Sequence, residues 1–409
     1  MNSIRLSKNN LLIEKLSAFN LSKKYKTPFY CYSLSQLRNN YNSFNYAFRS
    51  VNPLICFSVK SNSNINLLRE LKKIGSGADV VSAGELLKAT KAGISSKKIV
   101  FSGVGKTADE IKLAIKKNVL LINMESENEA NLINKISNQM SRITSVGLRL
   151  NPNVTGKTNK KISTGGKDDK FGLIYNDYIS ICKKIKKMKN LRLEGLSVHI
   201  GSQITKIKPF KKVLNVINKI ISKTNVNFKY IDLGGGVGIP YSVKDKKINL
   251  KEYAKLVDKF AKNKDAKIIF EPGRFVAGNT SILVSKITYI KKSNNKFFII
   301  LDAGMNDLMR PALYDAHHEI IPIKKNKNKI FGDIQFVGPV CESADKFLSK
   351  KSFSEVKEGD CIAITNVGAY GMSLSSNYNS RPIIAEVLVS NSRHKLIRKR
   401  QSLENLINS

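Results

Sequence analysis

The chain runs to 409 residues, too long for a single small domain, and its 42% hydrophobic content supports one large α/β unit plus a second domain. No apolar run reaches the roughly 18 residues of a membrane span, and the polar, Asn-rich start has no signal-peptide character, so a cytoplasmic protein is expected. The net charge of +39 comes mainly from lysines scattered over helices and loops in a chain also rich in Asn and Ile, which points to composition bias and a solvated, anion-attracting surface rather than to a specific nucleic-acid site.

A β-branched and aromatic run at 27–33 reads as the first clear strand. From residue 53 onward short apolar runs alternate with longer amphipathic stretches. Strands are predicted at 54–60, 78–82, 98–102, 120–124, 145–150, 193–200, 230–233 and 267–271. Helices are predicted at 65–74, 84–92, 108–117, 128–139, 177–189, 209–223 and 250–262. Thr107 followed by Glu110 has the spacing of a capping box. Eight βα units over about 230 residues match a (β/α)8 barrel; a doubly wound open sheet is the alternative, disfavoured by the count and by where the polar residues fall.

After residue 278 the pattern changes to strands separated by turns, at 282–290, 297–301, 330–337, 361–366 and 382–389, with no long amphipathic helix between them. The expected layout is a barrel over 35–278 and a β domain over 279–409, joined by the N-terminal segment 1–34. The tail 393–409 reads as basic and then helical.

A βα barrel carries its chemistry at the C-terminal ends of its strands. Lys60 stands at the end of the first and Asp79 lies in the second, which Ser82 ends. Arg149 and Asn151 close the fifth, His199, Gly201 and Ser202 the sixth, Gly234, Gly235 and Gly236 the seventh, and Glu271, Gly273 and Arg274 the eighth. All face one mouth. A lysine above an apolar strand is partly desolvated, which lowers its pKa and suits it to form a Schiff base. The glycine run 234–236 lets backbone N–H groups approach an anion, as in a phosphate cup; it lacks the acid that a dinucleotide fingerprint requires.

Other motifs exclude chemistries. Gly103-Val-Gly-Lys-Thr107 resembles the end of a P-loop, but Val100 stands where that loop needs glycine. The pair His317-His318 cannot easily share a metal ion if the two side chains point to opposite faces, and Cys31, Cys56, Cys182, Cys341 and Cys361 form no CxxC pair. No metal is expected.

The segments FSVKSNSN (57–64), GADVVSAGEL (77–86), FSGVGKT (101–107), RLNPNV (149–154), TGGKDDKFGL (164–173), SVHIGSQ (197–203), DLGGGVGIPY (232–241), EPGR (271–274), DAGMNDLMRPALYDAHHEI (302–320), GPVCESAD (338–345) and GAYGMSLSSNYNSRP (368–382) together resemble the diaminopimelate decarboxylase family. These are fold-type III pyridoxal-phosphate (PLP) enzymes with an alanine racemase-like TIM barrel and a C-terminal β-sandwich or β-barrel domain.

The resemblance implies PLP-dependent decarboxylation of meso-2,6-diaminopimelate to L-lysine and CO2, the last step of lysine biosynthesis. It implies that Lys60 carries the cofactor, His199 stacks on its ring, and Asp79, Ser202, Gly235, Gly236 and the turn Glu271, Pro272, Gly273, Arg274 hold ring and phosphate. Glu271 would pair with the pyridinium nitrogen and keep it protonated, which favours decarboxylation. Arg274, Arg310, Tyr314, Glu342 and Tyr370 match the substrate-contacting set, with Tyr370 also touching PLP, and Cys341 matches the proton donor.

In this family the Cys341 segment serves the other subunit, so a homodimer with shared active sites is implied. Two alternatives remain. An ornithine- or arginine-type decarboxylase on the same fold usually presents an aspartate after the cysteine, where this chain has Glu342. A noncatalytic PLP-binding protein has the barrel without the β domain.

Overall fold

A computed structural model describes residues 3–156, 159–242 and 244–408. The chain divides into two compact units, one of residues 41–239 and 246–275, the other of residues 1–40, 240–245 and 276–409.

In chain order, β1 (Ile4–Ser7), β2 (Asn10–Ile13) and β3 (Leu16–Ser17) form a small antiparallel sheet, and β4 is Phe29–Ser33. The barrel strands follow: β5 (Leu54–Ser58), β6 (Gly77–Val80), β7 (Ile99–Phe101), β8 (Leu121–Met124), β9 (Thr144–Leu150), β10 (Leu191–Val198), β11 (Tyr230–Asp232) and β12 (Lys267–Phe270). All pair in parallel, and β12 returns to β5 to close the ring. The (β/α)8 barrel predicted from eight βα units is what the chain forms.

These strands read as continuous apolar runs because interior side chains cover one face and helices the other. Cys56, Val100, Leu121 and Ile269 pack together inside the ring. Helices begin where side chains satisfy their first amides. Asn64, Ser82, Ser126 and Asn249 each accept a backbone N–H of the first turn, and Thr107 with Glu110 forms the expected capping box.

Two residues beyond Leu121 on β8, hence on the same face, Asn123 points inward in a polar layer with Asp79 and Asp232. Asn123 fits because its partner across the strands is Gly147, where a Cβ would sit 2.1 Å from Asn123 Oδ1.

The second unit continues with β13 (Ser281–Ser293), β14 (Lys296–Leu301), β15 (Ile320–Pro322), β16 (Lys329–Val337), β17 (Lys346–Ser354), β18 (Cys361–Thr365), β19 (Ala385–Ser390) and β20 (Arg393–Arg398). Its sheet runs β17-β16-β14-β13-β4-β19-β20, with β18 bridging β13 and β15. The N-terminal strand β4 sits between β13, antiparallel, and β19, parallel. Its five residues are all buried, and Phe29 and Cys31 join Ile282, Val284, Ala363 and Val387 in the core.

Three expectations need correction. Strand β17 was not anticipated, because its Lys-rich alternation hides the apolar face. The tail, read as basic and then helical, has its helix at Leu403–Ile407, but its basic part, residues 393–398, forms β20 on the sheet edge. His317 and His318, whose opposite facing was argued from strand geometry, lie in irregular chain before β15. Among the described residues no helix is long and apolar enough to cross a membrane.

Candidate active site

Lys60 lies one turn past its strand. β5 ends at Ser58, and Val59–Ser61 forms a single 3-10 turn that carries the lysine. Its Nζ lies 3.3 Å from Asp79 Oδ2, and that oxygen also accepts from Ser58 Oγ at 2.8 Å. The lysine side chain is 36% exposed while the Asp79 carboxylate is fully buried, so the amine is anchored yet accessible. Asp79 Oδ1 is buried without a hydrogen-bond partner among the described residues.

His199 follows β10. Its Nδ1 accepts the Gly235 backbone N–H at 3.2 Å, which leaves the ring proton on Nε2. Burial, reinforced by the positive charges of Lys60 and Arg149, holds its pKa well below the usual imidazole value. The hydrogen bond fixes the tautomer, and the lowered pKa favours the neutral ring.

The glycine loop is packed from both sides. Gly234 has φ +65°, and a Cβ on Gly235 would come within 2.2 Å of the Glu271 carbonyl oxygen. Asp232 Oδ1 accepts the Gly234 N–H at 2.9 Å, and the Glu271 N–H donates to the Gly234 carbonyl at 2.8 Å. Arg274 Nε and Nη2 both reach Ser202 Oγ at 3.1 Å. The Pro272-Gly273 turn leans on the lysine's own turn, since a Cβ on Gly273 would meet Ser61 Cβ at 2.9 Å.

Glu271 is buried, and its pKa is raised well above the ordinary carboxyl value, first by burial and then by the Asp232 and Asp79 charges. Asp232 is raised too, again by burial, but less, because the Glu271 carboxyl donates to it. Ser102 Oγ donates to Glu271 Oε1 at 3.4 Å, and Asn123 Nδ2 to Asp232 Oδ2 at 3.2 Å.

Asp79, Asp232 and Glu271 thus gather three buried carboxyl groups near a single lysine, with Asp79 Oδ1 unpartnered. This excess of negative charge matches a pyridinium. The tight glycine loop, with Ser202 and Arg274 beside it, suits a phosphate. The residues present fit PLP.

In the other unit, Arg310 is buried at the start of the short helix Arg310–Tyr314, and Tyr314 is half-buried. Cys341 and Glu342 lie exposed on one turn. Asp345 builds that turn by accepting the N–H groups of Met305 and Val340 at 2.7 Å each. The Cys341 N–H donates to Asn379 Oδ1 at 3.3 Å, and Tyr378 OH donates to Glu342. Tyr370, at φ 57°, is half-buried.

The barrel unit therefore brings together Lys60, Asp79, His199, Ser202, Gly235, Gly236, Glu271, Pro272, Gly273 and Arg274. Arg310 with Tyr314, Cys341 with Glu342, and Tyr370 stand on three segments of the second unit. Sequence reasoning gave no role to Ser102, Asn123 or Asp232. Their position at or next to strand ends, two residues above apolar neighbours, was the available signal. Glu85 was also passed over. It accepts the Val81 N–H at 2.9 Å, and burial raises its pKa to about 7.

Comparison with known proteins agrees with this geometry. The family described as "Pyridoxal-dependent decarboxylase, pyridoxal binding domain" matches residues 34–278. The diaminopimelate decarboxylase of Aquifex aeolicus is 39% identical over 401 residues, covering 97% of this chain and 94% of that protein. That of Haemophilus influenzae is 40% identical over 410 residues, covering 99% and 98%. The crystal structure of the Helicobacter pylori enzyme complexed with L-lysine superposes with a TM-score of 0.91 at 39% identity, covering 95% of this chain and 98% of that one. A lysine/ornithine decarboxylase from Vibrio vulnificus, at 17% identity and TM-score 0.80, shares the fold. With relatives this similar over almost its whole length, and with a lysine, a buried glutamate and a glycine cup arranged for PLP, the chain belongs to the diaminopimelate decarboxylase family of fold-type III PLP-dependent decarboxylases.

Proposed function

We propose that this enzyme decarboxylates meso-2,6-diaminopimelate to L-lysine and CO2, the closing step of lysine biosynthesis, with Lys60 as the residue that holds PLP. The observation that carries the reading is the set of three buried carboxyl groups, Asp79, Asp232 and Glu271, gathered in the barrel where Lys60 Nζ lies 3.3 Å from Asp79. Bound there, PLP supplies a sink for the electron pair left as the C–CO2 bond breaks.

The chain's own residues do the rest. Asp79 orients Lys60 through the 3.3 Å contact with its Nζ. Glu271, as the carboxylate, would pair with the cofactor's ring nitrogen and favour its protonated form. Neutral His199 covers one ring face without adding charge. Ser202, Gly235, Gly236 and Arg274 grip the phosphate, and Pro272 and Gly273 set the turn that brings Arg274 there. At the substrate's distal end a guanidinium suits the carboxylate and an acid suits the ammonium. Arg310 takes the first role and Glu342 the second, with Arg274, Tyr314 and Tyr370 contributing contacts. The Cys341 thiol returns a proton to the carbon that lost CO2.

Cys341 and Glu342 project from an exposed turn of their own chain, which supports a homodimer in which this turn serves the partner subunit. The five free cysteines support a reducing, cytoplasmic setting.

The test is CO2 release from meso-diaminopimelate, L-ornithine, L-arginine and L-lysine, with Lys60→Ala as control. Release from diaminopimelate alone, abolished in Lys60→Ala, supports the reading; release from ornithine or arginine reassigns the substrate. Mixing Lys60→Ala and Cys341→Ala chains tests the shared site, since hybrid dimers should regain part of the activity.

A further inference from the structure

The pair His317-His318 has no part in the roles above, and the structure separates the two. His317 is exposed, with Nε2 3.4 Å from Glu319 Oε2. His318 is completely buried. Its Nδ1 lies 2.9 Å from the Thr365 carbonyl oxygen and its Nε2 2.8 Å from Nη1 of Arg310. A carbonyl has no proton to give, so Nδ1 carries the hydrogen. A guanidinium has no lone pair to offer, so Nε2 must be the acceptor. The two partners together dictate a neutral imidazole protonated on Nδ1.

Arg310 is held from a second side as well. Its Cζ lies 4.7 Å from the centroid of the Tyr241 ring. The Tyr241 and His318 rings meet edge-to-face, with centroids 5.2 Å apart and planes at 80°. An arginine side chain ordinarily loses much rotamer freedom when it grips a carboxylate. Here that loss is taken when the protein folds, before any ligand arrives.

We propose that His318 is a positioning residue for substrate specificity, holding Arg310 through its Nε2 lone pair, against Tyr241, in the orientation that reads a ligand's distal carboxylate. The inference rests on the reading of Arg310 as the carboxylate reader.

The holoenzyme tests it with three ligands. Diaminopimelate and the product L-lysine both keep the distal carboxylate, whereas cadaverine lacks it. His318→Leu is expected to raise KM for meso-diaminopimelate and the inhibition constant of L-lysine roughly tenfold, the scale of a hydrogen bond to a charged group. It should leave kcat within about twofold and cadaverine inhibition unchanged. His318→Gln, whose side-chain amide oxygen accepts near the Nε2 position, should restore most of the loss. In an Arg310→Met background, His318→Leu should add nothing.

Equal weakening of cadaverine and L-lysine, or a normal KM in His318→Leu, overturns the proposal and leaves His318 as packing. If Arg310→Met itself leaves KM unchanged, the carboxylate-reader assignment fails instead. Should His318→Leu not fold, Tyr241→Leu removes the other wall; the same selective loss supports the cage and a normal KM overturns it.

Discussion

The backbone N–H of Gly235 donates to Nδ1 of His199 across 3.2 Å, joining the glycine loop after β11 to the residue that follows β10. The bond leaves the ring proton on Nε2, and burial with two nearby cations keeps the ring from gaining another. His199 is therefore expected to titrate well below the ordinary imidazole value. Nitrogen NMR shifts of the imidazole in the PLP-free protein check this, and a titration midpoint near an ordinary imidazole value would contradict it.

The same loop tolerates no side chain at Gly235, because a Cβ there would sit 2.2 Å from a backbone oxygen that cannot rotate away. Gly235→Ala is expected to cost about 1–3 kcal/mol through overpacking. It should also displace the loop from β12 and weaken PLP retention. Thermal unfolding and the cofactor absorbance left after dialysis measure the two effects separately.

Arg149 and Glu125 form a buried ion pair of 2.8 Å, with side chains 8% and 4% exposed, and Glu125 also accepts the Gly172 N–H at 2.8 Å. Removing one partner leaves a buried charge alone, so Arg149→Met should destabilise by about 3–5 kcal/mol. Arg149→Met combined with Glu125→Gln should recover a large part of that, because the amide can still accept from Gly172 without carrying charge. Urea unfolding of the two single variants and the double variant decides it.

Glu85 gives the PLP-free protein a pH signature. Burial raises its folded pKa from 4.5 to about 7. The folded state thus holds this proton more tightly than the unfolded state does. The stability it contributes is full below the unfolded pKa and is lost as pH rises through the folded one. The loss is at most about 3 kcal/mol between those limits. Glu85→Gln should flatten this slope in urea unfolding followed across that range; an unchanged slope would assign it elsewhere, with Asp232 and Glu271 the next candidates.

Much of this was legible in the chain itself. The alternation of short apolar runs with capped amphipathic stretches announced eight βα units, and the residues closing those runs named most of the mouth. The strand 27–33, rich in aromatic residues yet outside that rhythm, announced β4. Strands β17 and β20 were hidden because lysines and arginines fill their outward positions, leaving too few apolar residues to mark a period of two. Asp232 was visible at the head of its glycine run, but its partnership with Glu271 was not. That depends on β11 and β12 being neighbours in a closed ring, a fact about pairing rather than about either segment.

The sequence by itself determined the family, the barrel-plus-β plan and the lysine, histidine and glutamate proposed to serve the cofactor, because strand ends in a barrel converge whatever lies between them. Only the tertiary structure decided the protonation of the site. Three carboxyl groups from β6, β11 and the end of β12 are buried together, which raises the pKa of Glu271 well above the ordinary carboxyl value and that of Asp232 to about 6. Likewise His318 and Tyr241, 77 positions apart in the numbering, become the two walls around Arg310. Folding excludes solvent from around His318, and its two ring nitrogens face the Thr365 carbonyl and the Arg310 guanidinium.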